Sequence, residues 1–583
     1  MRTLSIAILL VLSIASAANA QAHGEVLSLG FENNYRPDCW TPVLVNITPE
    51  SSKTDFFWLQ IKQEDLDRDH PIFNRTISLT GAAEGQSRPQ KFRTYFKPQP
   101  TDGGLAESSD PSLTRDDLQS QLDVSLWTSA GKPVVGLPIT MTISSLDPRN
   151  QVLNDRRGTR FVLIVSDGGD APVFREYRDS LGLLEVVTMQ PVRTEQLPEN
   201  VLGYDAVDAI VWMNADPADL KGGGDDKFRA LESWVRRGGH LIICTTSQWQ
   251  RLLAFGDMLP VVIAGTGFTQ TPEPLRSLLP RSAVAPVEAS AKDKSEAPQN
   301  PWLTMHGPFT MAQATPRPGA IVQDWITWDT NPPVRTPWLV RKPFGAGAVT
   351  WVAQNLGDPA ITKQASSGWP FIWDRVLGLR NDPLIITSKT TDADRAPYAP
   401  APAIDVGPAL LQKAMDLGAK SLLLTALAVA FFIGYWLVAG PGIYAYLVTR
   451  RRTNLSWFMF ATAALAATLL TVVLVRVTLR GKPELAHLTL VRGAPGQPAS
   501  AFSRFGLYIP RDGVQTIELK DMAPNTVAAL TAFAIHPQHL TKAPSNPGPE
   551  YVVNIHDASS AEPALIRVPF RSTLKKFEAE WSG

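Results

Sequence analysis

The strongest constraint on the fold is a pair of long uncharged segments separated by a short basic loop. Residues 421–449 read SLLLTALAVAFFIGYWLVAGPGIYAYLVT, and residues 455–475 read LSWFMFATAALAATLLTVVLV. A helix needs about 20 apolar residues to cross the hydrocarbon core of a bilayer, so each segment is long enough. Neither segment has the polar face that a surface helix of a water-soluble domain would show. We therefore predict two transmembrane helices, the first of which can tilt or change course at Gly440-Pro441-Gly442.

The orientation of these helices follows from the charges and the N-terminus. The connecting loop 450–454 reads RRRTN, and short basic loops face the cytoplasm. The chain begins MRTLSIAILLVLSIASAANA, with a basic residue, an apolar stretch and an A-x-A site, which predicts a secretory signal peptide over 1–20. An uncleaved anchor is the alternative. Two crossings after an exported N-terminus predict a cell-membrane protein whose N- and C-terminal domains lie on the periplasmic or extracytoplasmic side; that the membrane is bacterial is implied by the family resemblance described below.

Both ends of the exported chain contain sequence patterns that are typical of β-strands. Residues 24–148 contain runs with period-two alternation, such as WTPVLVNIT and LDVSLWTSAGKPV, separated by turn-rich spacers. This pattern predicts an Ig-like antiparallel β-sandwich. Residues 391–420 form a Pro/Ala-rich linker to the first span, and residues 483–583 predict a separate β-rich exported domain, possibly incomplete.

The region 158–390 has a different pattern. FVLIV, LEVVTM, AIVW and HLIIC are almost wholly apolar strands, and DDKFRALESWVRRGG has the caps and spacing of a helix. Strands that are apolar on both faces and alternate with helices predict a flavodoxin-like doubly wound α/β domain with a parallel sheet. We expect a loop insertion at about 281–300 and a β-appendage that either joins the sheet or closes it.

Composition excludes several functions. The chain has 55 basic and 55 acidic residues, so nothing predicts a nucleic-acid partner. Two cysteines, Cys39 and Cys244, and eight scattered histidines predict no metal site and no cofactor, and a disulfide between the two cysteines cannot be argued from the sequence.

The pattern YDAVDAIVW…ALESWVRRGGHLII and the later GAGAVTWVAQNLGDP resemble bacterial membrane-anchored ectodomain proteins with a degenerate class I glutamine amidotransferase-like domain. The resemblance lies in the order of strand-like and helix-like sequence patterns along the chain, and not in one diagnostic motif. Active members of that class have a G-x-C-x-G elbow and a later H-x-E pair. The resemblance puts Cys244 at the nucleophile's place, but Ile242 and Thr246 stand where the glycines would be.

The catalytic base of such an enzyme is also missing from the sequence. Between 158 and 390 the histidines are His240 and His306, and neither is followed two residues later by glutamate. His240 is four residues before Cys244 on one strand, roughly 13 Å away along the strand. We therefore predict that Cys244 packs in the core and that the protein is not an enzyme.

Polar residues follow three of the predicted strands. Asp167, Asn214 and Cys244 mark the carboxyl ends of these strands, where doubly wound sheets bind ligands. If the domain binds a small molecule, whose identity is unknown, these residues are expected to line the site.

The prediction is a non-catalytic membrane-anchored envelope protein that binds a protein or envelope partner. Two alternatives stay open: a thiol-dependent amidohydrolase or amidotransferase-like enzyme that uses Cys244, and a structural subunit of a membrane complex assembled through its spans.

Overall fold

The structure is a computed structural model of the chain. It describes residues 22–36, 39–50, 53–63, 69–81, 88–98, 122–141, 144–145, 158–167, 185–222, 226–245, 247–270, 273–276, 306–328, 330–358, 369–377, 418–478, 484–493, 499–518, 529–532, 550–555 and 565–582. The predicted signal peptide, the insertion 281–300 and most of the linker 391–420 lie outside these residues. The protein is a mixed α/β structure with many strands and two long apolar helices.

The strands are numbered in chain order. The N-terminal region contains β1 (Ala22–Leu29), β2 (Asn34–Tyr35), β3 (Thr41–Pro49), β4 (Asp55–Lys62), β5 (His70–Leu79), β6 (Gln90–Phe96), β7 (Asp123–Thr128), β8 (Pro133–Gly136) and β9 (Ser144–Ser145). The central region contains β10 (Gly158–Val165), β11 (Glu185–Val192), β12 (Ala209–Trp212), β13 (His240–Cys244), β14 (Val261–Thr269), β15 (Phe309–Pro316), β16 (Ile321–Trp328), β17 (Val334–Phe344) and β18 (Gly347–Val352). The C-terminal region contains β19 (Glu484–Arg492), β20 (Ser500–Glu518), β21 (Ala529–Ala532), β22 (Glu550–Asn554) and β23 (Leu565–Ser582).

The central region forms one seven-stranded sheet in the order β11-β10-β12-β13-β18-β17-β16. The first five strands in this order are parallel, and β17 and β16 add to β18 as an antiparallel hairpin. Every residue of β12 and β13 is buried, which explains why these strands are apolar without alternation. The predicted parallel sheet is therefore present, and the hairpin extends it.

The helices of the central region are short. They are α1 (Asp226–Arg236), α2 (Glu273–Arg276) and α3 (Trp369–Leu377), with 3-10 segments at Thr194–Gln196, Val201–Tyr204, Pro217–Lys221 and Trp249–Met258, the last of which is kinked at Gly256. Helix α1 buries Leu231 and Val235 as its spacing predicts, and it ends before Gly238, whose φ of 130° suits glycine. Strands β14 and β15 pair with each other as a two-stranded ribbon.

The β-rich part contains a three-stranded sheet, β1-β3-β6, and a nine-stranded sheet in the order β19-β20-β23-β22-β5-β4-β7-β8, with β21 beside β23. One apolar core lies between them and contains residues from both ends of the chain, among them Val45, Phe73, Phe505 and Phe577. Strands β7 and β8 form a hairpin: they pair antiparallel, and Gly131 has the positive φ of the turn.

The two predicted β-regions, 24–148 and 483–583, share this nine-stranded sheet instead of forming separate sheets. Strand β22 pairs in parallel with β5, and the side-chain amides of Asn74 and Asn554, 480 residues apart in sequence, are 3.3 Å apart. Close by, Lys97 forms an ion pair with Glu578, and both side chains are buried. We call the two sheets together the β-body.

Charged side chains join the β-body to the central α/β region. Arg36 donates to Asp208 at 2.9 Å, and the Trp40 backbone N–H donates to Asp205 at 2.8 Å. Arg93 donates to the Leu197 carbonyl at 2.7 Å. Because each of these contacts satisfies a charged or backbone group that the junction shields from water, they fix the orientation of the two parts.

The two uncharged segments are helices. The first contains α4 (Gly418–Leu437), a π-helical turn at Val438–Gly442 and α5 (Ile443–Thr449), and the second is α6 (Ser456–Thr478) after a 3-10 turn at Thr453–Leu455. The helical residues 426–449 and 453–473 are 24 and 21 residues long and almost entirely exposed, so both are long and apolar enough to cross a membrane. The chain stays helical through Pro441, where the π-helical turn absorbs the lost hydrogen bond.

Candidate functional site

The carboxyl ends of β10, β12 and β13 lie side by side at one edge of the seven-stranded sheet. They bring Asp167, Asn214 and Cys244 to this edge, as the sequence predicts. The three residues differ in accessibility: Asp167 is exposed, Asn214 is half-buried, and Cys244 is fully buried. A ligand that approaches this edge therefore meets the first two side chains, whereas the thiol lies below the surface.

Asp167 is held by neighbours that the sequence did not point to. Its carboxylate accepts a hydrogen bond from the Thr194 hydroxyl at 3.3 Å and from the Asp216 backbone N–H at 3.4 Å. Asp216 in turn caps the following 3-10 segment through the Ala218 N–H at 2.9 Å and lies 3.6 Å from Arg251. The edge thus carries two carboxylates and one guanidinium in a polar network. The sequence contains one signal for this role: an Asp-Pro pair after a strand is typical of a residue that caps the start of a helix, here Asp216.

Cys244 has the surroundings of a core residue. The side chain is 0% exposed, and burial raises the pKa of the thiol to about 12. The thiolate is the nucleophilic form, so this environment opposes nucleophilic chemistry at neutral pH. The residues around it in the chain continue the sheet: Cys244 is in register with Val352, and the Thr245 N–H donates to the Val352 carbonyl at 3.0 Å.

Neither of the two histidines considered as catalytic bases serves Cys244: His240 is hydrogen-bonded to Thr350, and His306 is exposed. His240 is 9% exposed, and its Nε2 lies 2.8 Å from the Thr350 hydroxyl on the neighbouring strand β18. His306 is exposed beside the ribbon strand β15. Among the described hydrogen bonds, none joins either histidine to Cys244.

A cavity of about 260 Å³ lies at the opposite, amino edge of the parallel sheet, between α1 and the C-terminal strands. Its lining includes Tyr204, Asp205, Asp208, Trp234, Arg237, Gly238, Gly239, Arg492 and Glu580. Arg237 donates to Glu580 at 3.2 Å, which ties the end of α1 to β23. This site was missed because Glu580 and Arg237 are 343 residues apart, and no local pattern in the sequence connects them.

Asp205 is the most perturbed carboxylate of this cavity. Burial by the surrounding protein, and then the negative charge of Glu580, raise the pKa of Asp205, while Lys97, Arg36 and the Trp40 N–H act in the other direction. The carboxylate itself is open to the cavity, so solvent there moderates the effect of burial. The cavity offers both acidic and basic groups, but most of them already pair with each other across the junction.

Within the residues that the structure describes, no three histidine, cysteine, aspartate or glutamate side chains come together as a metal site.

No protein-family model and no curated protein match the chain. Solved structures with partial similarity include an exo-β-1,4-mannosidase from Opitutaceae bacterium strain TAV5, at 17% identity and a TM-score of 0.22 over 39% of this chain and 37% of that one. A cycloisomaltooligosaccharide glucanotransferase from Paenibacillus sp. matches at 12% identity and a TM-score of 0.14, over 38% of this chain and 28% of that one. A β-glucuronidase from glycoside hydrolase family 2 matches at 12% identity and a TM-score of 0.13, over 41% of this chain and 23% of that one. The chain thus spans less than two fifths of these relatives, and at such TM-scores the similarity carries no argument about fold or activity.

Proposed function

We propose that the chain is a non-catalytic membrane-anchored protein whose two exported segments fold into one body that binds a protein or envelope partner. The observation that carries this proposal is the pairing of β5 with β22 in one sheet, because the two apolar helices lie between these strands in the chain. Strands that share a sheet must be on the same side of a membrane. A hairpin of two spans returns the chain to that side.

The charge of the loop between the spans supports the orientation. Arg450, Arg451 and Arg452 directly follow α5, which supports a cytoplasmic loop and an outer position of the β-body. A cytoplasmic loop of this size offers little surface for binding, so the proposed partner meets the β-body or the α/β region. We propose a cell membrane on this basis and on the predicted signal peptide, and a bacterial one on the family resemblance.

Labelling with a membrane-impermeant maleimide tests the proposed topology. Single cysteines are introduced in a Cys39→Ser background by Glu50→Cys before the spans, Asn454→Cys between them and Thr516→Cys after them; all three positions are exposed. In intact cells or spheroplasts we expect labelling from Glu50→Cys and Thr516→Cys, and labelling from Asn454→Cys only after permeabilisation. If the first and third positions label on opposite sides, the shared-sheet topology and the proposal fail together.

The α/β region is proposed to be a flavodoxin-like doubly wound domain of the degenerate amidotransferase-like type. The order of its parallel strands supports this: the second strand in chain order is at the edge, followed by the first, third, fourth and fifth. In such sheets the ligand crevice lies where the order reverses, between β10 and β12, and Asp167 and Asn214 are at the ends of these strands. This crevice is the candidate small-molecule site.

Burial of Cys244 supports the non-catalytic function against the thiol-enzyme alternative. A buried thiol with a raised pKa, hydrogen-bonded to neither of the two described histidines of the α/β region, lacks both access and activation. The reactivity of this thiol separates the two functions.

The third possibility is a subunit of a membrane complex that is assembled through its spans. It predicts that partners are lost when the spans are replaced by unrelated transmembrane helices.

A further inference from the structure

The edges of the two large sheets differ in how they are protected. An edge strand presents unpaired backbone groups that can pair with another chain, and proteins normally block this with prolines, bulges or short strands. Strand β11 has Pro191 near its end, β8 is four residues long and begins with Pro133, and β16 is irregular around Asp324. In β16 the Thr327 N–H is also covered, since it donates to Glu273 at 2.9 Å.

Strand β19 lacks these protections. It pairs with β20 over nine residues without a bulge or a proline, and no other described strand pairs with it. Four of its apolar side chains are at least two-fifths exposed: Leu485 at 57%, Leu488 at 42%, Leu490 at 52% and Val491 at 64%. A long, regular and apolar edge strand is the form that associates with other strands.

We propose that β19 is a self-association edge, at which two copies of this chain pair antiparallel and centred on Leu488. The occupant is indicated by the sequence of the strand, ELAHLTLVR, which is complementary to itself when reversed. In this register Leu488 lies opposite its own copy, Leu485 opposite Val491, and Ala486 opposite Leu490. The acidic position 484 lies opposite the basic position 492, so opposite charges align at both ends of the paired strands.

The position of β19 in the chain favours this pairing over capture of a soluble partner. Only residues 479–483 separate α6 from β19, so the first residue of the strand lies within about 20 Å of the end of the apolar helix. Two anchored copies in one membrane therefore hold the beginnings of their β19 strands at similar distances from the bilayer. Confinement to one membrane raises their effective concentration, as a tether does for linked binding sites.

Disulfide cross-linking of the full-length chain tests the register. In a Cys39→Ser background, Leu488→Cys places two thiols at directly opposed positions, with Cβ atoms about 5 Å apart. Leu490→Cys is the matched control, because two copies of position 490 are four residues apart along the strands, about 14 Å. Copper–phenanthroline oxidation in native membranes is expected to give a covalent dimer from Leu488→Cys and not from Leu490→Cys. Equal cross-linking at both positions would overturn the antiparallel register, and none at Leu488→Cys would overturn the proposal.

A second variant tests the association without a new thiol. Leu488→Lys puts two like charges opposite each other at the centre of the pair and is expected to weaken self-association roughly tenfold or more. Phe268→Lys is the control: this side chain is 73% exposed on the β14–β15 ribbon, away from β19. The oligomeric state is measured by light scattering in detergent and by single-molecule photobleaching in lipid nanodiscs. An unmodified chain that is monomeric in both, with β19 covered only by lipid or detergent, contradicts self-association while leaving the proposed topology untouched.

Discussion

The rate at which Cys244 reacts with an alkylating reagent tests most directly whether this candidate nucleophile is inert in the folded protein. An ordinary thiol with a pKa of about 8.5 is roughly a tenth thiolate at pH 7.5. With the pKa of Cys244 raised to about 12 by burial, the thiolate fraction at that pH falls to roughly 3 in 100,000. Ionisation alone therefore slows alkylation of the folded protein about 3,000-fold, before the side chain's lack of solvent access is considered.

The assay is iodoacetamide alkylation of the intact protein, followed by peptide mass spectrometry. Cys39, which is half-buried, serves as an internal reference, and the same protein in concentrated urea gives the rate of each thiol in the unfolded chain. We expect Cys244 to stay unmodified while Cys39 reacts, and both to react at similar rates in urea.

The pH dependence distinguishes reaction in the folded protein from reaction after local opening. A thiol that reacts in place with a pKa of about 12 gains about tenfold in rate per pH unit between pH 7 and 9. A thiol that reacts only after opening levels off near its ordinary pKa. Alkylation of Cys244 at pH 7.5 within tenfold of its rate in urea would refute the reasoning and favour the thiol-enzyme alternative.

Two further predictions concern the junction and the buried ion pair. Glu578→Ala removes the carboxylate that pairs with the buried Lys97 ammonium and lies 3.8 Å from Arg504, so it should lower the free energy of unfolding by about 3–5 kcal/mol. Glu550→Ala, at an exposed ion pair, should cost less than about 1 kcal/mol. Urea titrations of both variants check this, and equal effects would contradict it. Because the pKa of Asp205 is raised in the folded protein, the folded state holds the proton more tightly than the unfolded state, and stability falls as pH rises above the ordinary carboxyl pKa. Asp205→Asn removes this loss, so its thermal midpoint relative to the unmodified protein should be higher at pH 7.5 than at pH 4.5; no change between the two pH values would be evidence against it.

The parts of the fold that the sequence predicts are those encoded by local patterns. β12 and β13 are apolar throughout because both faces of a central parallel strand are covered, and the helix before Gly238 shows its buried spacing within eleven residues. The positions of Asp167 and Asn214 at one sheet edge follow from the same rule, since each ends a neighbouring parallel strand. For these elements, a stretch of about a dozen residues is enough to determine both the secondary structure and which side chains are buried.

The remaining features depend on contacts across the whole chain. The sequences of β5 and β22 do not indicate that these two strands are partners, because backbone pairing is nearly independent of residue type. Likewise, Arg237 and Glu580 are ordinary charged residues in sequence, and only the packing of α1 against β23 makes them partners at 3.2 Å. The sequence therefore predicts two β-regions and cannot indicate that they share one sheet.

In the proposed topology, this shared sheet links folding of the β-body to membrane insertion of the two apolar helices. β4 and β5 can pair as a hairpin early, but β5 stays unpaired on its other side until β22, 480 residues later, has been made and has returned across the membrane. Contacts of such sequence separation form late because the cost of closing the loop is incurred before they stabilise anything. Phe73 and Ile77 lie in the core to which Phe577 and Tyr551 also belong, so a chain that failed to complete its second crossing would leave this core partly open. In the proposed topology the stability of the β-body thus depends on correct insertion of the two helices, although their described residues contribute no side chain to that core.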